Sequence, residues 1–398
     1  MNKIELLSPA GDLEKLKCAI LFGADAVYIG GKEFSLRSMA SNFTLEDIKE
    51  GCAFAHLHHA KIYVTCNIVM HESDLTHLKE YLLALQNCGV DAVIASSFTI
   101  IKLVKELTNM EAHVSTQQSV CNSMGVNFFK ELGADRVVLA RECTLENIKQ
   151  ICRTVDTDLE VFIEGGMCAS VSGRCMLSNV MTNRDANRGG CAQSCRWNYD
   201  IYKENNKVSI GDYDFTMSSK DLNVMRYIPE LIKAGVKSLK IEGRMKSLHY
   251  IATIVSAYRK CIDEYYNKGH VDNINKYIEW ISKGENRPVS HGFLLGDVTE
   301  NEEIYNDGFM EPSHDFVGIV LDYNPLTHLV TIEQRNYFKG YSKIEFLTQK
   351  NGPIIADIKD LYDNDNNLIN AANHAQMIVK FYSDVFCEAN DLVRLINQ

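Results

Sequence analysis

The sequence predicts an α/β fold in which a (β/α)8 TIM-like barrel is followed by a small antiparallel β-barrel. Over the first 165 residues, short apolar runs alternate with amphipathic segments, which is the pattern of buried parallel strands joined by helices. A glycine-containing phrase recurs where a helix passes into the next strand. From Phe316 onward the pattern changes to the alternation of half-buried strands, as in FVGIVLDY and HLVTIEQR. These three observations together predict the two-part architecture.

Seven apolar runs before residue 165 have the length and composition of barrel strands. They are IELLS from Ile4, DAVYIGG from Asp25, KIYVTCN from Lys61, DAVIAS from Asp91, EAHVST from Glu111, DRVVLAR from Asp135 and LEVFIEG from Leu159. Apolar residues at i, i+3 and i+4 predict helices between them, for example over residues 12–22, 75–85 and 145–152. An eighth strand is expected over residues 236–243, followed by a helix over residues 248–266. Eight such units favour a closed barrel over an open doubly wound sheet.

The junction phrase has a simple physical reason. Gly23, Gly89, Gly133 and Gly235 each follow a predicted helix and precede a predicted strand. Glycine readily adopts the left-handed conformation that ends a helix, so each is expected to be a helix cap. Repeated helix–glycine–strand units predict successive right-handed crossovers. No G-x-G-x-x-G loop follows the first strand, which argues against a dinucleotide-binding fold.

The strand–helix rhythm breaks between residues 165 and 221, where Gly, Cys, Arg, Ser and Asn dominate. We therefore predict a catalytic barrel domain over residues 1–270, with a Cys-rich insertion over residues 165–221 after the seventh strand. Residues 271–312 are mixed and polar, and a helical linker is expected there. Residues 313–398 are expected to form the C-terminal β-barrel.

Composition narrows the class of protein. The chain has 398 residues, 46% of them hydrophobic, and a net charge of -11, which argues against a disordered chain and against a general nucleic-acid coat. Any RNA contact would therefore be local. No run approaches the roughly 18 apolar residues of a membrane span, and the start lacks the apolar stretch of a signal peptide. We expect a soluble cytoplasmic protein without membrane association.

Four of the 13 cysteines lie close together in the insertion. Cys168, Cys175, Cys191 and Cys195 are separated by six, fifteen and three residues. Thiolates in a Gly-rich loop are typical ligands of zinc or of iron–sulfur clusters. The spacing lacks the paired C-x-x-C units of a zinc ribbon and suits a [4Fe–4S] cluster at least as well. Structural zinc and buried free thiols are the alternatives.

Active sites of such barrels lie at the carboxyl ends of the strands, and polar residues collect there in this sequence. Glu164 and Glu242 end neighbouring strands and are candidates for an acid/base pair, with Arg141 beside them; structural ion pairs are the alternative. The candidates for binding an anionic substrate are Arg37, Asn67, Gln117, Arg174, Arg188, Lys240, Arg244 and Lys246. Guanidinium groups match both a dicarboxylate and a phosphate backbone. A solvated or salt-bridged surface position is the alternative for each.

Several long phrases resemble the collagenase-like peptidase family U32. They are EVFIEGGMCASVSGRCMLS from Glu160, RDANRGGCAQSCRW from Arg184, SSKDL from Ser218, LKIEGRMKSLHYIATIVSAYR from Leu239 and TIEQRNYF from Thr331. The resemblance covers almost the whole chain, and the branch that carries such a C-terminal barrel is similar to the prephenate-dependent tRNA wobble-uridine hydroxylases.

The resemblance implies a tRNA-modifying enzyme that converts wobble uridine to 5-hydroxyuridine without oxygen. It implies a [4Fe–4S] cluster on the four cysteines, prephenate as co-substrate and tRNA as partner. Sister branches hydroxylate a ribosomal RNA cytidine, or a ubiquinone precursor as paired subunits, so a paralogous partner subunit is a further implication.

Two alternatives stay open. The family's historical name suggests a peptidase, although the sequence contains neither H-E-x-x-H nor G-x-S-x-G. A non-catalytic RNA-binding subunit with structural zinc is the second alternative, and hydroxylation of another RNA is a variant of the leading hypothesis.

Overall fold

The first part of the chain is a closed barrel of eight parallel strands. The computed structural model describes residues 3–36, 42–208, 215–284, 287–304 and 311–397. The barrel strands are β1 Glu5–Pro9, β2 Ala26–Gly30, β3 Lys61–Cys66, β4 Ala92–Ala95, β5 Glu111–Val114, β6 Arg136–Val138, β7 Asp158–Gly165 and β8 Ser238–Ile241. Neighbours along the chain pair in parallel, and β8 pairs with both β7 and β1, so the sheet closes. The predicted barrel is confirmed.

Ten α-helices lie in the described part of the chain, and all except the seventh, in the insertion, and the tenth, in the predicted linker, belong to the barrel's strand–helix alternation. They are α1 Leu13–Leu21, α2 Leu45–Leu57, α3 Leu78–Cys88, α4 Phe98–Leu107, α5 Ser123–Glu131, α6 Leu145–Thr154, α7 Leu177–Thr182, α8 Ile228–Ala234, α9 Leu248–Lys268 and α10 Ile274–Ser282. The four junction glycines all have positive φ, between 90° at Gly89 and 107° at Gly23. Their predicted role in ending helices is therefore confirmed.

The insertion leaves β7 and returns to the same edge of the barrel. It contains α7 and a small hairpin of Tyr202–Lys203 with Asn206–Lys207. It ends in the short strand Asp221–Asn223, which pairs antiparallel with the end of β7. The segment predicted as a helical linker contains α10, but it also adds the strand Val289–Ser290 beside Asp221–Asn223. The insertion and the linker therefore extend the barrel sheet.

The C-terminal part is an antiparallel sheet with its own apolar core. In spatial order its strands are Gly352–Asp357, Lys343–Thr348, Leu392–Ile396, His314–Asn324, Leu329–Gln334, Ile378–Tyr382, Leu361–Asp363 and Leu368–Ile369. A separate pair joins Phe338–Lys339 to Ala371–Ala372. The sheet packs on α9, where the fully buried Arg394 bonds to Thr253 at 3.2 Å and to Glu345.

A buried ion network fills one layer of the barrel interior. Arg136 Nη1 lies 2.6 Å from Glu5 Oε1 and 3.1 Å from Glu160 Oε2, and Lys240 Nζ lies 2.8 Å from Glu160 Oε1. Burial opposes ionisation of Glu160, but Lys240 and then Arg136 outweigh it and lower the pKa of this carboxyl to about 2. His113 is also fully buried. Among the described helices, none is long and apolar enough to span a bilayer.

Candidate functional site

The Cys-rich insertion starts at the carboxyl end of β7, so it covers the open end of the barrel. Gly165 has φ of +100°, and a Cβ there would lie 2.2 Å from the carbonyl oxygen of Glu242. Only glycine lets the chain leave β7 this close to the end of β8. The local sequence thus directs the insertion over the end where such barrels carry their active sites.

Two loops of the barrel hold the first half of the insertion. Gly173 has φ of +76°, and a Cβ there would lie 2.1 Å from the carbonyl oxygen of Gln117, in the loop after β5. Ser172 donates from its backbone N–H to Glu142 Oε1 at 2.9 Å, in the loop after β6. Its carbonyl accepts a hydrogen bond from the hydroxyl of Ser119. The chain around Ser172 and Gly173 is therefore fixed by backbone contacts.

A salt bridge holds the second half of the insertion to the loop after β3. Arg188 Nη1 and Nη2 lie 2.6 and 3.0 Å from the two carboxylate oxygens of Asp74. This hydrogen bonding is the main cause of the lowered pKa of Asp74, about 2. Asn187 accepts a bond from the backbone N–H of Val69 at 2.9 Å. Arg188, predicted to bind substrate, is engaged in holding the insertion.

The other three insertion cysteines lie near enough to Cys195 to act on its pKa. Cys168 and Cys191 are exposed, whereas Cys175 and Cys195 are half-buried. Burial raises the pKa of Cys195, and Cys168 raises it further, with smaller contributions in the same direction from Cys191 and Cys175. Such electrostatic coupling requires all three other thiols to lie near Cys195. Over the described ranges, no three His, Cys, Asp or Glu side chains are grouped to hold a single metal ion.

Side-chain hydrogen bonds hold the backbone carbonyl groups of two of these cysteines. Asn187 Nδ2 donates to the carbonyl oxygen of Cys175 at 3.2 Å. Thr216 Oγ1 donates to the carbonyl oxygen of Cys195 at 3.3 Å. Hydrogen bonds of this kind orient ligands around a metal centre. Four cysteines in a Gly-rich loop, with the backbone of Cys175 and Cys195 held in this way, form a donor set that fits an iron–sulfur cluster.

Two of the three predicted catalytic residues lie together at the barrel mouth. Arg141 Nη2 is 4.0 Å from Glu242 Oε2, and the Arg141 guanidinium lies 3.9 Å from the centre of the Phe162 ring. Tyr28 Oη donates to Glu242 Oε2 at 3.1 Å. Burial, and then the charge of Glu242, raise the pKa of Tyr28 well above its ordinary value, so the phenol stays protonated. The tyrosine therefore orients the carboxylate.

Arg244 crosses the barrel mouth from the loop after β8. Its Nη1 donates to Ser35 Oγ at 2.9 Å and to Thr65 Oγ1 at 3.1 Å. A Cβ at Gly30 would lie 2.0 Å from the same Nη1, so glycine is required for this path. Arg244 is 5% exposed. The structure thus brings it to the site with its guanidinium hydrogen-bonded to the walls.

Two predicted site residues lie away from the open mouth. Glu164, 1% exposed, accepts a hydrogen bond from Tyr258 Oη of α9 at 2.9 Å. Lys240 lies inside the barrel, 4% exposed, in the ion network with Glu160. Both lie on strands that lead to the site, but their side chains are packed in the protein interior.

The other predicted substrate-binding residues are spread around the rim. Asn67 Oδ1 accepts from the backbone N–H of Leu36 at 3.3 Å. Gln117 Oε1 accepts from Ser115 Oγ at 3.3 Å. The exposed Arg174 donates from Nε to Ser119 Oγ at 3.3 Å. Arg37 lies outside the described residues.

A group of cations beside Cys195 includes residues that the sequence reading missed. Asp221 Oδ2 lies 3.2 Å from Lys246 Nζ, and Asp221 Oδ1 lies 3.5 Å from Arg287 Nε and 3.9 Å from Arg196 Nη2. We call these four residues the Asp221 cluster. It contains three cations and one carboxylate, and the side chains of Arg196 and Lys246 are 29% and 28% exposed. The phrase SSKDL pointed to Asp221, whereas Arg287 lies in the predicted linker and carried no signal.

A cavity of about 270 Å³ opens at the ends of β3, β4 and β5, and we call it the strand-end cavity. The insertion contributes Gly173 and Asn187 to its wall. The barrel contributes apolar and uncharged polar side chains, among them Phe98, Gln117 and Gln118. Within the described part of the chain, no charged residue lines it.

Comparison with known proteins places this architecture in a family. The model of peptidase family U32 matches residues 11–304, and that of the peptidase family U32 C-terminal domain matches residues 312–394. The chain is 45% identical to tRNA hydroxylation protein P1 of Bacillus subtilis, over 99% of this chain and 95% of that protein. It is 36% identical to tRNA hydroxylation protein P of Helicobacter pylori, over 77% of this chain and 80% of that protein.

A third relative acts on a different RNA. The chain is 40% identical to the 23S rRNA 5-hydroxycytidine C2501 synthase of Escherichia coli, over 66% of this chain and 40% of that protein. The matched family models cover both the barrel with its Cys-rich insertion and the C-terminal sheet. This chain belongs to peptidase family U32.

Proposed function

We propose that this protein is an RNA hydroxylase, which uses a [4Fe–4S] cluster and prephenate to convert the wobble uridine of tRNA to 5-hydroxyuridine. The observation that carries the proposal is the set of four cysteines in the insertion at the barrel mouth, two of which have their carbonyl oxygens held by hydrogen bonds. A relative that matches over almost the whole chain is named for tRNA hydroxylation, which supports the substrate class. Hydroxylation is an oxidation, and a redox-active centre at the mouth suits it.

Cys168, Cys175, Cys191 and Cys195 would hold the cluster. A bound [4Fe–4S] cluster supplies one-electron redox chemistry at a potential that hydrogen bonds and exposure tune. The bonds from Asn187 and Thr216 to the cysteine carbonyls would keep the loop in place around it. Cys168 and Cys191 are exposed, so a group that they hold would be accessible to a substrate.

The Asp221 cluster supplies a site for the anionic co-substrate. Prephenate is a dicarboxylate, and three cations around one carboxylate leave an excess of positive charge. Arg196 and Lys246 are exposed enough for direct contact, whereas Asp221 and Arg287 are buried and position them. Guanidinium and ammonium groups form strong charge-assisted bonds with carboxylates.

At the barrel mouth, Arg141 and Glu242 would contact the reacting groups. Glu242, which accepts a hydrogen bond from the protonated Tyr28, would accept a proton, and Arg141 would balance the charge that develops. Arg244 lends positive charge to the same mouth. Glu164 would help to position Glu242, because its backbone carbonyl oxygen accepts a hydrogen bond from the N–H of Glu242 at 2.9 Å.

A second candidate is hydroxylation of another RNA. The identity to the ribosomal 5-hydroxycytidine synthase favours this candidate, since that protein also carries a hydroxyl to a pyrimidine base. Peptide cleavage, suggested by the family name, predicts activity that does not depend on the four cysteines.

The test begins with anaerobic purification of the wild-type protein and of Cys191→Ser, with iron, sulfide and zinc analysis. We expect about four irons and four sulfides in the wild type and loss of both in the variant. Cys121→Ser is the matched control, because Cys121 is also exposed but lies outside the insertion. It should keep the wild-type metal content.

Mass spectrometry of tRNA and ribosomal RNA nucleosides from a deletion strain then identifies the substrate. Loss of 5-hydroxyuridine from tRNA, restored by wild type and by Cys121→Ser but not by Cys191→Ser, is the expected result. Loss of 5-hydroxycytidine from ribosomal RNA instead would favour the second candidate. Stoichiometric zinc without sulfide, or peptide cleavage that survives Cys191→Ser, would overturn the hydroxylase.

A further inference from the structure

The strand-end cavity lies directly beside one of the insertion cysteines. Asn187, which lines the cavity, donates to the carbonyl oxygen of Cys175, and Gly173 lines it two residues before that cysteine. The cavity of about 270 Å³ has room for about nine waters at roughly 30 Å³ each. A uracil ring with its two exocyclic oxygens is smaller than this volume and therefore fits in the cavity. An object of that size would therefore sit next to Cys175.

The polar groups of the cavity match a neutral base. Ser97 caps the N-terminus of α4 without a side-chain hydrogen bond, and Phe98 and Thr99 follow in the wall. The first N–H groups of a helix have no partner within the helix, so they are donors for a carbonyl oxygen. The amide of Gln117 both donates and accepts. A pyrimidine edge with two carbonyls and one N–H requires this combination.

The rim of the cavity offers an aromatic surface. Phe98 is 50% exposed and packs against Phe128 and Phe129, with ring centres 5.9 and 5.6 Å apart. Exposed aromatic rings beside a polar pocket stack on bases of single-stranded nucleic acids. Gln118 also lines the cavity, but its side-chain N–H already donates to the carbonyl oxygen of Ser96.

The strand-end cavity and the Asp221 cluster differ in charge. The cations of that cluster lie with Cys195, whereas the cavity beside Cys175 is lined by uncharged residues over the part of the chain described. An anion would lose its hydration in the cavity without gaining a counter-charge. A neutral base would exchange its water contacts for amide and N–H groups at little cost.

We propose that the strand-end cavity receives a pyrimidine base turned out of a single-stranded RNA loop, next to Cys175. This inference rests on the proposed function and names the place of its substrate. A base must leave its stack before an enzyme can act on a ring atom, and a loop base does so at low cost. The cavity then holds the base while the Asp221 cluster holds the anionic co-substrate on the Cys195 side.

A binding experiment without turnover tests the inference. Two labelled anticodon stem-loops are compared by fluorescence anisotropy, identical except that one carries uridine and the other an abasic ribose at the first anticodon position. The anaerobically purified protein should bind the uridine loop about tenfold more tightly, the scale of one stacked base. Phe98→Ala and Gln117→Leu should bring this ratio close to one, with little change in affinity for the abasic loop.

Phe128→Ala is the matched control, because Phe128 is 48% exposed in the same aromatic group but does not line the cavity. It should keep the wild-type ratio, and circular dichroism should show all three variants folded. Equal affinity of the wild type for both loops, or a wild-type ratio in Phe98→Ala and Gln117→Leu, would overturn the inference. Free uridine that binds as tightly as the loop would overturn the RNA part of it.

Failure of the inference and failure of the proposed function give different results. A uridine preference that depends on Phe98 and Gln117, without hydroxylated product in the nucleoside analysis, would reject the function and keep the pocket. Product formation with a ratio that is insensitive to both variants would keep the function and reject the pocket.

Discussion

The barrel interior and the barrel mouth carry the same kinds of charged side chain, yet their surroundings differ. Lys240 and Glu242 are two residues apart at the end of β8. Lys240 is 4% exposed and lies 2.8 Å from Glu160 in a network that also includes Arg136. Glu242 has a side chain that is 21% exposed, and Arg141 lies 4.0 Å away. The interior charges therefore form short ion pairs, whereas the mouth pair is longer and its carboxylate is more exposed.

The end of β8 therefore carries one charge that stabilises the barrel interior, Lys240, and one charge that lies at the candidate site, Glu242. Removing one member of a buried ion pair leaves the other charge without compensation, so the interior network must be complete. At the mouth, Arg141 and Glu242 lie 4.0 Å apart, and the Glu242 side chain is partly exposed. Substitution of the same residue type should therefore lower the stability of the fold in the interior and alter ligand binding or reaction at the mouth.

The largest effect should come from breaking the interior network. Glu160→Ala leaves Lys240 without its carboxylate, and we expect the free energy of unfolding to fall by about 3–5 kcal/mol. Denaturant unfolding followed by circular dichroism measures it. The double variant E160L/K240M should lose less than Glu160→Ala, because an apolar pair replaces the ions. Lys105→Ala, which removes a half-exposed partner of Asp135, should cost less than about 1 kcal/mol.

The second prediction concerns pH. The pKa of Glu160 falls from 4.5 to about 2 in the folded protein, because Lys240 and Arg136 outweigh the cost of burial. A carboxyl with a lowered pKa in the folded state contributes stability above pH 4.5, and this contribution is lost as pH falls towards about 2. The unfolding midpoint of the wild type should drop over this interval. Glu160→Gln should start lower and show a flatter profile, and parallel profiles would contradict the prediction.

A smaller and more local effect is expected where the insertion meets the mouth. Gly173→Ala places a methyl group against the Gln117 carbonyl and should displace the insertion at a cost of about 1–3 kcal/mol. Iron and sulfide content should fall, while the unfolding midpoint of the barrel changes little. Gly235→Ala is the matched control, since Gly235 also has positive φ but no atom lies within 4 Å of the added Cβ. Equal metal loss in both variants would show that strain alone is responsible.

The smallest effect is expected from the removal of one cation of the Asp221 cluster. Lys246→Met removes a cation of the Asp221 cluster that is 28% exposed, and affinity for prephenate should fall about tenfold. Calorimetric titration and the dependence of product formation on prephenate concentration measure it. RNA affinity should change much less. Lys233→Met, an exposed lysine on α8, serves as the control and should leave prephenate binding unchanged.

Much of the fold was predictable because its signals are local. Apolar runs, helical periodicity and the glycine caps lie within short windows, so the eight strands and the position of the insertion were confirmed. The strand Val289–Ser290 was missed, because it pairs with Asp221–Asn223, over 60 residues away in the chain, and a two-residue strand has no periodicity. The linker prediction therefore captured α10 but not this strand.

The candidate site was less predictable than the fold, because the sequence does not show which partners its charged side chains have. The four cysteines were singled out by their spacing, and their role as cluster ligands stays a prediction. The arginines and lysines were chosen for their place at strand ends, but the structure gives them different partners. Arg188 holds the insertion through Asp74, Lys240 completes the interior network, and Arg244 bonds to the mouth walls.

The sequence by itself determined the order of elements, the place of the insertion and the set of four thiols, because each depends on neighbouring residues. Only the tertiary structure decided which charges are enclosed and which are accessible. Burial and pairing depend on contacts between distant segments, such as Arg287 with Asp221 or Gly173 with Gln117. The strand-end cavity has the same origin, since three strand ends and the insertion must meet to form it.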